Sequence, residues 1–135
     1  MALNLSNINW KWVIIGVLIA FVIAYGSSIC FVTGYATYLA FQVMGAPDQT
    51  MINEFAAKNA GGVVSIFIGI GTLVGGRIAG RKASVDAFQN GLMVGLVTAF
   101  IDLMLSFLGG FSLWSVVSFV LAAGGGWLGG KLSRK

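Results

Sequence analysis

The sequence contains no histidine, a single cysteine (Cys30), one proline, and only eight basic and four acidic residues. Without histidine the most common general base is missing, and one cysteine cannot form an intrachain disulfide or a His/Cys zinc site. These absences exclude most enzyme chemistry. We therefore expect a non-enzymatic protein that holds no metal and no cofactor.

Charge is also scarce in proportion, because charged residues make up 9% of the chain and hydrophobic residues 58%. Soluble domains carry about 25% charged residues, so an ordinary soluble domain is excluded. Apolar runs lie at about 12–34, 61–80, 89–110 and 111–130, each near the ~20 residues that cross a bilayer. The first run continues to about residue 44 and must tilt, bend or protrude. The pattern predicts one all-α domain over 1–135, an integral membrane four-helix bundle.

The few basic residues fall on one side of this topology. With four crossings, both termini and the loop between the second and third helices share one side, which carries seven basic residues against Lys58 on the other. This asymmetry predicts a multi-pass protein of the inner (cytoplasmic) membrane with both termini in the cytoplasm. The seven are Lys11, Arg77, Arg81, Lys82, Lys131, Arg134 and Lys135.

All of these except Lys11 are also candidates for binding anionic lipid headgroups, the alternative being that they determine topology alone. The net charge of +4 is explained by this asymmetry. We therefore expect the lipid bilayer as a partner and no nucleic acid.

The segment 45–60 is the one sizeable polar stretch outside the predicted membrane spans. Pro47 and Asp48 are typical of a helix start, and Met51, Ile52 and Phe55 would share one face of the helix that follows. We predict a short amphipathic helix on the outer membrane surface. The alternative is an ordered loop packed over the bundle.

Glycine accounts for 20 of 135 residues, about twice its average frequency. Many of the glycines recur with other small residues at i+4, a GxxxG-like pattern that lets helix backbones approach closely in lipid. We expect these rows to close the bundle within one chain and to leave at least one row for a partner. The predicted helix-packing residues are Gly16, Ala20, Ala24, Gly71, Gly75, Gly76, Gly80, Gly91, Gly95, Ala99, Ala122, Gly126 and Gly130.

The two halves of the chain share a pattern. GGRIAGR at 75–81 matches GGWLGGK at 125–131, and Gly16 of the first helix aligns with Gly95 of the third. The spacing indicates a possible duplicated two-helix hairpin. The first half would then carry about 29 extra residues, which are the extension of helix 1 and the outer segment.

Three motifs, GGRIAGRK, NGLMVGLVTAF and LAAGGGWLGGKL, fall within about residues 61–132. In this order the chain resembles the small four-helix bacterial membrane proteins of unknown function grouped as the YrzE-like family. The resemblance implies four helices and no activity. The long outer segment departs from the shorter link of that group.

Asp102 is the only ionisable residue well inside a predicted span. Helical spacing places it on the face of Gly91, Gly95 and Ala99, so it points into a helix contact. Its predicted polar neighbours, which with it form the candidate intramembrane polar or ion site, are Tyr25, Ser28, Ser65 and Ser118. Asp102 is either a proton or cation site or a neutral acid that joins two helices by a hydrogen bond.

Two functions fit these features. The small-residue rows and the shortage of reactive groups favour an accessory or assembly subunit that packs against a larger membrane protein or against itself. The alternative is a homo-oligomeric transporter or channel for an ion or small solute, with Asp102 in its path.

Overall fold

The computed structural model describes residues 7–83 and 86–133, and within them the chain is helical with no β-strand. The four helices are α1 (Trp10–Val43), α2 (Gln49–Lys82), α3 (Ala87–Gly109) and α4 (Leu113–Leu132). Each is long and apolar enough to cross a membrane. The predicted all-α four-helix architecture is confirmed.

The prediction of a separate surface helix at 45–60 is wrong, because α2 begins at Gln49 and continues without a break to Lys82. Asp48 is the N-cap, and its carboxylate accepts a hydrogen bond from the backbone N–H of Thr50 at 2.8 Å, as the Pro-Asp pair predicts. Gly61 and Gly62 do not end the helix. The indole of Trp114 packs against both glycines, which lack the side chains that would hold it away.

The outer parts of α1 and α2 form a helical hairpin that extends beyond α4. Phe55 of α2 stacks on Tyr35 of α1 with ring centroids 3.8 Å apart, and on Phe31 at 5.3 Å. The contact of Trp114 with Gly61 marks the level at which α4 begins. Residues 49–60 therefore project about 18 Å beyond it. We call residues 31–60 the hairpin extension, and they match in length the extra residues predicted for the first half.

The small residues of α1 and α2 bring these two backbones into contact. A β-carbon added to Gly71 would lie 2.7 Å from the carbonyl oxygen of Ala20, and one added to Gly75 would collide with the carbonyl oxygen of Gly16. Such contacts are possible only without side chains. The rows predicted from i+4 spacing therefore lie at this interface.

A second set of contacts joins α3 to α4. A β-carbon on Gly95 would lie 2.6 Å from the carbonyl oxygen of Ala122 and 2.9 Å from Cα of Gly126. Gly91 lies against the backbone of Gly130 in the same way. All thirteen predicted helix-packing residues are buried in the bundle.

The contacts of the two halves do not match residue for residue, and the bundle is not two-fold symmetric. Gly16 meets Gly75 in the first half, but Gly125, which the sequence match aligns with Gly75, lies against Gly69 of α2, and it is Gly126 that meets Gly95. Moreover, α2 contacts α3, whereas α1 and α4 make no contact over the described residues. The duplication stays a prediction.

Basic residues collect at one end of the bundle, which we call the basic end. It holds the start of α1, the end of α2, the start of α3 and the end of α4, with Lys82 over the ring of Trp12 at 5.8 Å and Lys131 over that of Trp127 at 5.1 Å. Here the side-chain oxygen of Asn90 accepts a hydrogen bond from the backbone N–H at residue 9.

Candidate functional site

A cavity of about 270 Å³ lies in the half of the bundle away from the basic end. It runs from the turn between α3 and α4 inward to Asp102, and we call it the Asp102 cavity. Every helix contributes to it. Its walls include Tyr25, Ala60, Gly61, Val64, Ser65, Asp102, Leu105, Ser106, Gly109, Gly110, Ser112, Trp114, Ser115 and Ser118.

Asp102 is held at the inner end of the cavity between α3 and α4. Its side chain is only 6% exposed, and one carboxyl oxygen, Oδ2, accepts a hydrogen bond from the hydroxyl of Ser118 at 2.5 Å. Gly95 and Ala99 occupy the same face of α3 and allow it to approach α4 closely. The sequence therefore directs Asp102 toward α4 and away from lipid.

The remaining hydroxyls bond mainly to backbone. Ser65 donates to the carbonyl oxygens of Gly61 at 2.8 Å and Trp114 at 3.1 Å, which ties α2 to the first turn of α4. Ser106 donates to the carbonyl of Asp102 within its own helix at 2.9 Å. Among the described residues, the Ser118 hydroxyl is thus the hydrogen-bond donor that reaches the Asp102 carboxyl group.

Four of the five residues predicted for the polar site line the same cavity, namely Tyr25, Ser65, Asp102 and Ser118. Ser28 does not line it. It is buried on α1 in the row that continues from Ala20 and Ala24, the face that packs on α2. That these residues act as a site stays a prediction.

Sequence reasoning missed three serines of the lining, Ser106, Ser112 and Ser115, as well as the ring of Trp114. A signal for Ser112 and Ser115 was present, because both precede the predicted Ser118 at a spacing of three residues and share its face of α4. In the structure, Ser112 and Ser115 also form the capping box that begins α4. The same serine row therefore caps the helix and lines the cavity.

The residues predicted to bind anionic lipid are exposed at the basic end where they are described. Arg77, Arg81 and Lys82 lie in the last two turns of α2, and Lys131 lies in the last turn of α4. Arg134 and Lys135 fall outside the described residues. Lipid binding by this group stays a prediction.

A second surface of interest runs along the outside of α1. A β-carbon added to Gly26 or Gly34 would meet nothing within 4 Å, and Cys30 between them is exposed. We call these three residues, spaced by four, the outer α1 row. Farther along, the hairpin extension exposes large apolar side chains, with Phe41 at 78% and Met44, the residue that caps α1, at 96%.

Comparison of the chain with family models, curated proteins and solved structures finds no match. The resemblance to the YrzE-like family therefore stays a prediction.

Proposed function

We propose that this chain is a non-enzymatic accessory or assembly subunit of the inner membrane that packs against another membrane protein. The observation that carries the proposal is the exposed apolar surface of the hairpin extension. Phe41 and Met44 are large and uncovered at the tip of α1. On soluble proteins, a large exposed apolar patch marks an interaction site, and we apply the same reasoning to the part of α1 that extends beyond the bilayer.

The length of α1 and α2 supports this reading. Each has 34 residues and is about 51 Å long, against a hydrocarbon core of about 30 Å. The shorter α3 and α4 match the bilayer, so the hairpin extension reaches at least into the outer headgroup region. A partner that covers it would remove aromatic surface from water, and the hydrophobic effect would favour the complex.

The glycine rows contribute to this proposal in a different way from the one expected. The predicted rows all make contacts within the chain. None of them is left for a partner, as had been expected of at least one. The outer α1 row remains, because Gly26 and Gly34 have open space beside them. A helix of a partner could approach α1 closely there.

The proposal includes an orientation, with the basic end in the cytoplasm. Basic residues at the ends of α2 and α4 would then face the anionic inner leaflet, where each contributes about 1 kcal/mol of attraction. The hairpin extension would lie on the opposite side of the membrane. The partner would therefore be a membrane protein with exposed surface outside the cytoplasm.

Cys30 provides the test, since it is the only cysteine in the sequence and is part of the outer α1 row. A photoactivatable maleimide on Cys30 in native membranes is expected to capture a specific larger membrane protein. In the matched control, Cys30→Ser is combined with Met104→Cys on α3, which is 71% exposed. Equal capture from both positions, or labelling of lipid alone, would contradict the proposal.

A second candidate function is transport of an ion or small solute by an oligomer of this chain. The observation in its favour is the Asp102 cavity, with its buried acid. Capture of another copy of the chain through Cys30 would move the weight to this candidate. Asp102→Asn keeps the size of the side chain and removes its charge, so cation or proton-coupled flux in liposomes that is unchanged by it would eliminate the role.

A further inference from the structure

We propose that the Asp102 cavity binds one small organic cation, with the ammonium group at the Asp102 carboxylate and the apolar body against the outer walls. The inference concerns binding alone. It uses the cavity on which the second candidate function rests, but it requires neither transport nor a protein partner.

The charge of the cavity favours a cationic ligand. Among the described residues that line the cavity, Asp102 is the one with a charged side chain. The start of α3 at the basic end lies fifteen residues away along the helix, which is about 22 Å. An acid in a low-dielectric site without a cation of its own attracts one from outside, because its burial is costly until it is paired.

The geometry of the acid fits this role. The hydrogen bond from Ser118 is 2.5 Å long, within the range of hydroxyl-to-carboxylate bonds. It fixes the Oδ2 oxygen and thereby orients the carboxyl group. Both Asp102 and Ser118 are more than nine-tenths buried, so this end of the cavity is a preformed polar pocket.

The size of the cavity and its walls favour an organic ligand over a bare metal ion. Its volume of about 270 Å³ is several times the ~30 Å³ share of a water molecule. Hard metal cations prefer six or more oxygen ligands, whereas this cavity offers one carboxylate, and Ser65 and Ser106 direct their hydroxyls at backbone carbonyls. Val64 and Leu105 add apolar wall.

Aromatic residues on the lining add a further attraction. Tyr25 and Trp114 both line the cavity, and aromatic ring faces attract ammonium groups. A ligand with a compact apolar body and one positive charge would therefore satisfy the carboxylate, the rings and the aliphatic wall together. Its entry would be from the α3–α4 turn, where Gly109 and Gly110 are exposed.

The test is isothermal titration of the purified full-length protein in detergent with phenethylammonium chloride. 2-Phenylethanol serves as the uncharged ligand of the same shape, and sodium chloride serves as the inorganic cation. We expect saturable binding of one phenethylammonium per chain, with binding of 2-phenylethanol at least about tenfold weaker, since a charge-assisted contact is lost. We expect no competition by sodium at equal concentration.

Variants then locate the site. Asp102→Asn is expected to weaken phenethylammonium binding by about tenfold or more. Asp86→Asn, a change of the same kind at the basic end, is expected to leave it unchanged. If Asp102→Asn does not fold, the comparison of charged and uncharged ligands on the unaltered protein still decides.

Three results would overturn the inference. Equal binding of the amine and the alcohol would mean an apolar site that does not use the acid. Equal loss with Asp86→Asn, or no loss with Asp102→Asn, would place binding elsewhere. Asp102-dependent sodium binding without amine binding would assign the cavity to an inorganic cation. None of these results bears on capture through Cys30, so the two proposals fail independently.

Discussion

Adding a single methyl group at Gly95 is a sharp test of the backbone contact between α3 and α4. In Gly95→Ala the new β-carbon would lie 2.6 Å from the carbonyl oxygen of Ala122, whereas ordinary contact begins at 3.4 Å. The helices must therefore separate by about 0.8 Å, or the backbone must shift, and overpacking of this kind costs about 1–3 kcal/mol. Alanine is favoured over glycine inside a helix by about 1 kcal/mol, which offsets part of the cost.

Gly26→Ala is the matched control, because the same methyl group enters open space on α1. It should gain the helix preference without the overpacking cost, so the two variants should differ by about 1–3 kcal/mol in free energy of unfolding. Reversible unfolding in mixed micelles with increasing dodecyl sulfate, followed by tryptophan fluorescence, measures this difference. If Gly95→Ala proves as stable as Gly26→Ala, the backbones do not touch at this position and the reasoning is refuted.

Two further predictions use the same unfolding assay. Ser118→Ala should lower the free energy of unfolding by about 1.5–3 kcal/mol, because the Asp102 carboxyl group loses its hydrogen-bond donor. Ser106→Ala removes a hydrogen bond within one helix and should lower it by less. Equal losses in the two variants would contradict a stabilising hydrogen bond between Ser118 and Asp102. Asp48→Ala should cost about 0.5–2 kcal/mol, because the N–H of Thr50 loses its cap, and Asp48→Asn should restore most of it. Failure of Asn to rescue would mean that Asp48 acts through its charge and not as a cap.

Much of the bundle follows from local sequence. The i+4 spacing of small residues determines which faces of the helices can approach, and the contacts of Gly16 with Gly75 and of Gly95 with Gly126 follow that spacing. Pro47 and Asp48 also located the start of α2. The small-residue face of each helix and the start of α2 are predictable because each depends on residues close together in the chain, whereas the choice of which faces meet does not.

The extent of α2 was not predictable from composition. Polar residues after Asp48 resemble a surface segment, yet a helix that continues through the interface keeps every backbone hydrogen bond. The stacking of Tyr35 on Phe55 supports its outer part, and that contact joins residues of different helices. A hydropathy pattern contains no information about such a pair.

The sequence predicts that a hydroxyl group is the hydrogen-bond partner of Asp102, but it does not predict which residue carries that hydroxyl. Serines of α1, α2 and α4 were all at suitable depth, and the rotation of each helix decided among them. Ser118 faces the acid, whereas Ser28 is turned toward α2 because Ala20 and Ala24 on its row pack there. Helix rotation is a property of the assembled bundle.

The spacing between α2 and α4 changes along their length, and this has a mechanical consequence. At Gly125 the backbone of α4 touches that of α2, whereas at Gly61 the indole of Trp114 stands between the two helices. The two helices therefore diverge. Toward the basic end they are in direct backbone contact, and at the other end one aromatic ring keeps them apart. Lateral pressure on this open end would change the volume around Asp102 while leaving the glycine contacts in place.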